Sequence, residues 1–418
     1  MDFGDAEEHL LQAALIEKNA TDQHLSVHRL VQAAVMRKAP DPQKTKYLDA
    51  AIQVLRHIFV DHREHADIVN FLKAWTSERW LLHERCLPHV IHLIRQCMKY
   101  NTRSSSEDEL LQLLLPCEIS AREREMYDMS DEINHFALAI AQDKTGLGYA
   151  SVLFKDGLNK LYTNQSELAI EKFTEGIQIR ERLLGSEHSL VSWGYNNLGL
   201  CFTELNRHAE ALTNLNIALE QRKQNDPACI GNSYSNLASL HLKMAQPDEA
   251  EKYLFSCPSL QDFTDELLLS KNNPRFAGDM VLLSRIRRAQ GRFEDALRLA
   301  SKALQYRKRL LGNRFATCDS MHDVATLLML QKETHNSASL MLQELISITQ
   351  GFSSRNGKGQ LARAYYRLAV LHEKMGNSRK STDSQQQALS LAQTLLPDGV
   401  EATFEEDMFS RLCPWMLW

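Results

Sequence analysis

The sequence is poor in the two residues that most often break regular structure. It has 17 glycines and 10 prolines among 418 residues, below average usage of about 7% and about 5%. A β-sandwich or barrel needs many turns, and turns are rich in glycine and proline. The scarcity of both argues against an all-β fold and predicts helices joined by short connections.

Long apolar runs and an excess of positive charge are also missing. There is no run of about 18 apolar residues, so no membrane span is predicted. The acidic N-terminus, MDFGDAEEHL, lacks the apolar segment of a signal peptide. The formal net charge of −5 disfavours a nucleic-acid-binding protein.

Motifs for metal binding and catalysis are absent as well. The eight cysteines form no C-x-x-C pair, which predicts reduced thiols in a cytoplasmic protein. Four zinc-competent side chains recur every three residues, but at that spacing they drift around a helix and cannot surround one ion: His83, Cys86, His89 and His92. No G-x-S-x-G, H-E-x-x-H or paired-carboxylate motif occurs. We therefore expect no catalytic residues, metal or cofactor, and a protein that is not an enzyme.

What the sequence does contain is a repeat, beginning near residue 150. In its clearest copy Tyr195, Leu198 and Phe202 share one helical face, and Ala211 follows 13 residues after Leu198. The equivalent leading positions are 156, 198, 237, 283, 324 and 368, about 42 residues apart. Small residues such as Gly199 allow two antiparallel helices to approach to about 8–10 Å. Because one pair cannot bury its apolar face alone, we expect the pairs to stack into an α-solenoid.

This pattern resembles the tetratricopeptide repeat, with its W-x2-L-G-x2-Y and A-x3-F signature. The longer period resembles the repeats of kinesin light chains, as do the R-x-R-L-L-G endings in 178–189 and 305–313. The resemblance implies an all-α fold, a right-handed tetratricopeptide-repeat superhelix of about six repeats over 150–396. A degenerate repeat is predicted at 110–149, after a helical linker region at 41–109.

The first 40 residues have a different pattern. Glu7–Ala14 is compatible with a helix, Leu15–Lys18 and Leu25–His28 with two short strands, and Arg29–Lys38 with a helix that ends before two prolines. Helix, hairpin and helix in this order are typical of the end of a winged-helix domain. Residues 1–40 are therefore predicted to be a partial winged helix.

Two sequence segments that precede the repeats resemble a second family. LSVHRLVQAAVMRK, and ERCLPHVIHLI at 84–94, are similar to segments that follow the nucleotide-binding domain in fungal NLR-like proteins, which are STAND NTPases of NB-ARC–repeat architecture. The resemblance implies the C-terminal, ligand-sensing half of such a protein. The family's GxxxxGK[ST] loop is not matched, because GFSSRNGKG at 351–359 has one residue too many and no hydroxyl after Lys358. The NTPase activity is therefore not expected here.

The function predicted is protein–protein interaction through the concave groove of the superhelix, with an unidentified protein partner and neither nucleic acid nor membrane. The alternative is a cargo or complex adaptor of the kinesin-light-chain type. Such an adaptor should carry a heptad coiled coil before its repeats, but Pro88 and Pro116 interrupt 45–150. Candidate groove positions are Asn196, Asn197 and Asn236.

A basic stretch at 275–314 is a candidate patch for an acidic partner, or else a solvated helix surface. Its candidate residues are Arg285, Arg287, Arg288, Arg292, Arg298, Lys302, Arg307, Lys308 and Arg309. One acidic ligand could be the chain's own C-terminal tail, 397–418, which carries Asp398, Glu401, Glu405, Glu406 and Asp407. The apolar end of that tail, RLCPWMLW, is predicted to be either a docking peptide or a cap on the last repeat.

Overall fold

The structure, a computed structural model, describes residues 16–18, 25–27, 29–59, 77–260, 264–266, 276–397 and 399–415. It begins with an antiparallel hairpin of β1 (Ile16–Lys18) and β2 (Leu25–Val27), in which Ile16 is opposite Val27. Helix α1 (Arg29–Lys38) follows directly. Strands and helix lie where the sequence predicted them, and the predicted helix Glu7–Ala14 falls outside the described residues.

Within the described residues, four helices lead into the repeats: α2 (Asp41–Phe59), α3 (Ser77–Tyr100), α4 (Glu107–Glu123) and α5 (Tyr127–Ile140). Their apolar faces share one core with Val152 of the next helix. The expectation that prolines interrupt this region is wrong, because Pro88 lies inside α3 and Pro116 inside α4. A proline removes one helical hydrogen bond, and a helix buried on one face can continue past that loss.

Six helix pairs follow within the described residues. They are α6 (Leu147–Tyr162) with α7 (Ser166–Leu184), α8 (Ser189–Glu204) with α9 (His208–Asn225), α10 (Ile230–Lys243) with α11 (Pro247–Phe255), α12 (Phe276–Ala289) with α13 (Phe293–Leu311), α14 (Phe315–Leu328) with α15 (His335–Thr349), and α16 (Arg355–Lys374) with α17 (Ser378–Gln393). A short helix, α18 (Glu406–Ser410), is the last helix among the described residues. The predicted all-α tetratricopeptide-repeat superhelix is confirmed.

The repeat pattern is explained by contacts within each pair. A Cβ on Gly199 of α8 would come within 2.5 Å of Leu215 Cγ on α9, so only glycine permits this approach. The turns inside five of the six pairs contain a residue with positive φ, namely Asn164, Asn206, Ala245, Gly291 and Gly376. The same backbone conformation, at Glu125, joins α4 to α5. It satisfies free carbonyl groups at the end of the first helix.

The superhelix brings its first and last parts together. Both carboxylate oxygens of Glu125 accept from the Ala316 N–H in the first turn of α14, at 3.0 and 3.2 Å. The rings of Tyr127 and Phe315 lie 5.4 Å apart, and Asn356 donates to the Tyr162 carbonyl at 3.4 Å. The first helices of the pairs therefore surround an inner face.

Candidate functional site

The inner face holds a segment of the protein's own chain. We call residues 404–410 the anchor and 411–415 the crossing segment. In the anchor, the Phe409 side chain is fully buried and its ring stacks on Tyr366 of α16 at 4.6 Å. Phe404 and Met408 join the same cluster against α16 and α17. The anchor thus covers the apolar surface at the end of the array.

The crossing segment runs over the first helices of earlier pairs. Asn164, in the turn after α6, donates to the Arg411 carbonyl at 2.8 Å. The Trp415 N–H donates to Glu204 Oε2 at the end of α8 at 2.9 Å, and Arg285 of α12 donates to the Trp415 carbonyl. The indole lies over Lys243 and Arg285, with ring centroid distances of 5.6 and 5.7 Å.

Gly359 sets the distance between the crossing segment and α16. A Cβ at this position would overlap the Leu412 carbonyl oxygen and lie 3.1 Å from its carbon. It would also lie 3.5 Å from Cys413 Sγ. The missing side chain of Gly359 therefore gives the Leu412–Cys413 backbone its place against the helix.

Beside the crossing segment is a buried group of charges, which we call the inner charge cluster. Arg285 donates to Asp319 and to Asp323, both at 2.8 Å, and Arg363 donates to Asp319 at 2.9 Å. Burial alone would raise the pKa of Asp323, but Arg285 and its other positive neighbours hold that pKa below its ordinary value. Asp323 is therefore ionised in the fold and forms an ion pair with Arg285.

His322 and Arg367 extend this cluster to the anchor. Arg367 Nε donates to His322 Nε2 at 3.3 Å, and its guanidinium pairs with Glu406. Burial, and then the charge of Arg363, hold the pKa of His322 well below its ordinary value. His322 is thus a neutral hydrogen-bonding group at pH 7.

The nine basic residues predicted as one patch are separated by the fold. Arg285, Arg287 and Arg307 are buried, and Arg307 donates to the Ala316 carbonyl and to Ser320. Arg287 and four of the other basic residues form ion pairs with acidic side chains, and Arg309 lies over the Tyr306 ring. These pairs are Arg287–Glu251, Arg292–Asp295, Arg298–Asp265, Lys302–Asp265 and Lys308–Glu344. Arg288 lies near Arg285, Asp323 and Arg367. No single exposed patch results from the residues described.

The tail meets this stretch through Trp415, whose carbonyl and indole ring both contact Arg285. Arg285 binds the Trp415 carbonyl, whereas the carboxylate of Glu406 pairs with Arg367, outside 275–314. Asp398 lies outside the described residues. Pairing of the acidic tail with the basic stretch stays a prediction.

The three candidate groove asparagines are buried side chains between repeats. Asn196 accepts from Arg222 at 3.0 Å and from Asn236 at 2.9 Å, which links three successive helices. Asn197 is 5% exposed. Asn196 and Asn236 therefore hydrogen-bond to each other between two successive repeats. A partner could reach their side chains only after these repeats rearrange.

The zinc-competent residues of α3 also separate. His83 bonds to Ser120 at 2.9 Å and Cys86 packs against the first core, whereas His89 and His92 are exposed. No group of metal-ligating side chains occurs in the parts of the chain that the structure describes. In the same parts, no helix is long and apolar enough to cross a membrane.

The residues that hold the crossing segment include three that were not predicted to do so from the sequence: Asn164, Glu204 and Gly359. One signal was available: an isolated glycine inside a helical pattern usually has a packing reason. A second was the occurrence of two acidic residues, Asp319 and Asp323, one helical turn apart on the first helix of a repeat.

The fold and site define the class: an all-α tetratricopeptide-repeat superhelix with an occupied inner face, an architecture of protein-interaction scaffolds. Family models described as tetratricopeptide repeat match residues 150–224, 195–254, 280–315 and 362–395. A model described as a domain of unknown function (DUF7779) matches residues 1–44. No curated protein matches the chain.

Two solved structures with a TM-score above 0.5 show the same fold. Rap protein complexed with competence and sporulation factor is 13% identical, with a TM-score of 0.52 over 87% of this chain and 96% of that one. NprR in complex with its cognate peptide NprX is 15% identical, with a TM-score of 0.51 over 80% and 96%. A STAND protein with a tetratricopeptide repeat sensor from Pyrococcus horikoshii is 15% identical, with a TM-score of 0.41 over 93% and 58%.

Proposed function

We propose that this protein is a non-enzymatic interaction scaffold that binds an extended segment of a protein partner on its inner face. The observation that carries the proposal is the crossing segment itself. It is not helical, and the N–H and carbonyl of Trp415 are held by the charged side chains of Glu204 and Arg285. Backbone groups recognised in this way are common to every extended peptide.

The architecture of the neighbours supports this proposal without naming a partner. Rap and NprR were each solved with a bound factor or peptide, so a superhelix of this shape has room for a peptide ligand. At 13% and 15% identity they supply no ligand chemistry for this chain.

A finer proposal is that the array is the sensor half of an NLR-like STAND protein in the cytoplasm. The order of segments supports it, since the IHRLVQ-like string and the hairpin–helix precede the repeats. The adaptor role of kinesin light chains is the alternative. A captured partner with a GxxxxGK[ST] loop would favour the sensor, and a cargo protein would favour the adaptor.

Affinity capture with two forms of the protein tests the scaffold function. One form is the full chain, and the other ends at Ser410, which removes the crossing segment and keeps the anchor. We expect specific protein partners, recovered in greater amount by the shortened chain and less at high salt. If neither form recovers a specific protein at either salt concentration, the scaffold function is contradicted.

A further inference from the structure

We infer that the partner segment carries a carboxylate, and that this carboxylate binds where Cys413 now lies, beside Gln360 and Arg363. We call this place the 413 subsite. The inference rests on the proposed function, because it concerns the same inner face. The proposed occupant is a peptide with an acidic side chain at the position equivalent to Cys413, two residues before the one that takes the place of Trp415.

The first support is a set of hydrogen-bond donors that the crossing segment leaves unused. Among the described residues, Arg363 Nε and Gln360 Nε2 are buried and have no acceptor. The two side chains are 6% and 1% exposed, and they bond to each other through Arg363 Nη2 and Gln360 Oε1 at 2.9 Å. Buried donors without acceptors are destabilising, so a ligand that supplies acceptors here gains affinity.

The second support is the chemistry of the present occupant. Cys413 is buried, its Sγ lies 3.5 Å from the position that a Cβ of Gly359 would take, and Arg363 is one turn further along the same face of α16. Burial raises the pKa of the Cys413 thiol to about 11, so it is neutral at pH 7. A thiol is a weak acceptor, whereas a carboxylate offers two oxygens that match the guanidinium fork. The crossing segment is therefore a poor ligand at this subsite.

The third support is the balance of charge on the inner face. Arg285, Arg288, Arg363 and Arg367 are grouped there with two carboxylates, Asp319 and Asp323. The tail adds Glu406, which pairs with Arg367 at the other end of the group. Asp319 already accepts from Arg285 and Arg363. One more negative charge would therefore complement the face.

Peptide binding to the chain that ends at Ser410 tests the inference. The probes are labelled peptides of residues 411–418, with Cys413 unchanged, replaced by Asp, or replaced by Asn as the neutral isostere. We expect the Cys413→Asp peptide to bind at least about tenfold more tightly than the other two in fluorescence anisotropy, with the difference shrinking at high salt. A Gly359→Ala change in the shortened chain should abolish binding of all three, and Gly231→Ala should not.

Equal affinity of the three peptides would overturn the carboxylate subsite, and no binding of any peptide to a folded shortened chain would overturn exchange at this face. Should the shortened chain not fold, Cys413→Asp is made in the full chain. There it should slow hydrogen exchange of 411–415 at least about tenfold, and Cys413→Asn should not. Unchanged exchange in both variants would refute the subsite equally well.

The two proposals fail in different ways. A partner captured equally by the full and shortened chains, and not displaced by the peptides, leaves the scaffold function standing and refutes the subsite. Tight binding of the Cys413→Asp peptide without any captured protein supports the subsite and contradicts the scaffold function. A second copy of this chain as the occupant would appear as a concentration-dependent dimer in sedimentation, and would overturn the inference.

Discussion

Replacing Gly359 by alanine should release the crossing segment while leaving the array intact. Gly359 is inside α16, where alanine is favoured over glycine by about 1 kcal/mol. Without the tail, the change would therefore stabilise the helix. With the tail in place, the new Cβ would overlap the Leu412 carbonyl oxygen.

The crossing segment cannot retreat without breaking bonds on both sides of Leu412. Asn164 holds the Arg411 carbonyl, and Glu204 and Arg285 hold Trp415. A hydrogen bond to a charged group contributes about 1.5–3 kcal/mol. Losing the two at Trp415 therefore costs about 3 kcal/mol or more, which is about a hundredfold change in the local equilibrium.

Hydrogen exchange of 411–415 and alkylation of Cys413 measure this release. In the wild type Cys413 is buried and its pKa is raised to about 11, so alkylation should be slow. In Gly359→Ala we expect exchange about a hundredfold faster, faster alkylation and an equal or higher melting temperature of the array. Gly231→Ala is the matched control, since its Cβ would meet only Pro258 Cδ, at 3.8 Å.

Wild-type exchange and alkylation in Gly359→Ala would contradict this release. The Leu412 carbonyl would then not touch α16, and the crossing segment would not lie on the inner face as described. A uniform fall in stability across the array would also refute it, because the helix itself should tolerate alanine.

Three further changes follow from the contacts. Burial raises the pKa of Glu125 to about 7. The free energy of unfolding of the wild type should therefore fall by about 3 kcal/mol as pH rises from 4.5 through about 7, whereas that of Glu125→Gln should not. Parallel pH profiles of urea unfolding for the two proteins would contradict this. Asn196→Ala removes an acceptor of buried Arg222 and should cost about 2 kcal/mol in urea unfolding, against about 0.5 kcal/mol or less for exposed Asn232→Ala. Arg285→Lys keeps the charge, but lysine lacks the guanidinium fork and cannot bind Asp319, Asp323 and the Trp415 carbonyl together. Hydrogen exchange of 411–415 should therefore accelerate, and unchanged exchange would count against the role of Arg285.

Part of the candidate site was accessible from the sequence. The basic stretch at 275–314 contains Arg285, which holds the Trp415 carbonyl. The other members of that stretch could not be sorted by sequence alone, because a helix surface and a buried ion pair use the same residues. Whether an arginine faces solvent or an aspartate such as Asp319 depends on a helix 34 residues further along the chain.

The sequence by itself determined the local architecture. The spacing of Leu198, Gly199 and Ala211 specifies a helix pair, because periodicity and close approach act within about 15 residues. The tertiary structure alone decided how the pairs meet at long range. Small rotations between successive repeats accumulate along a solenoid, and their sum brings Glu125 to Ala316, 191 residues away. The same accumulated rotation between repeats places Trp415 against Glu204 and Arg285. No local pattern encodes that sum, so the enclosed inner face and its occupant emerge only when the repeats are stacked.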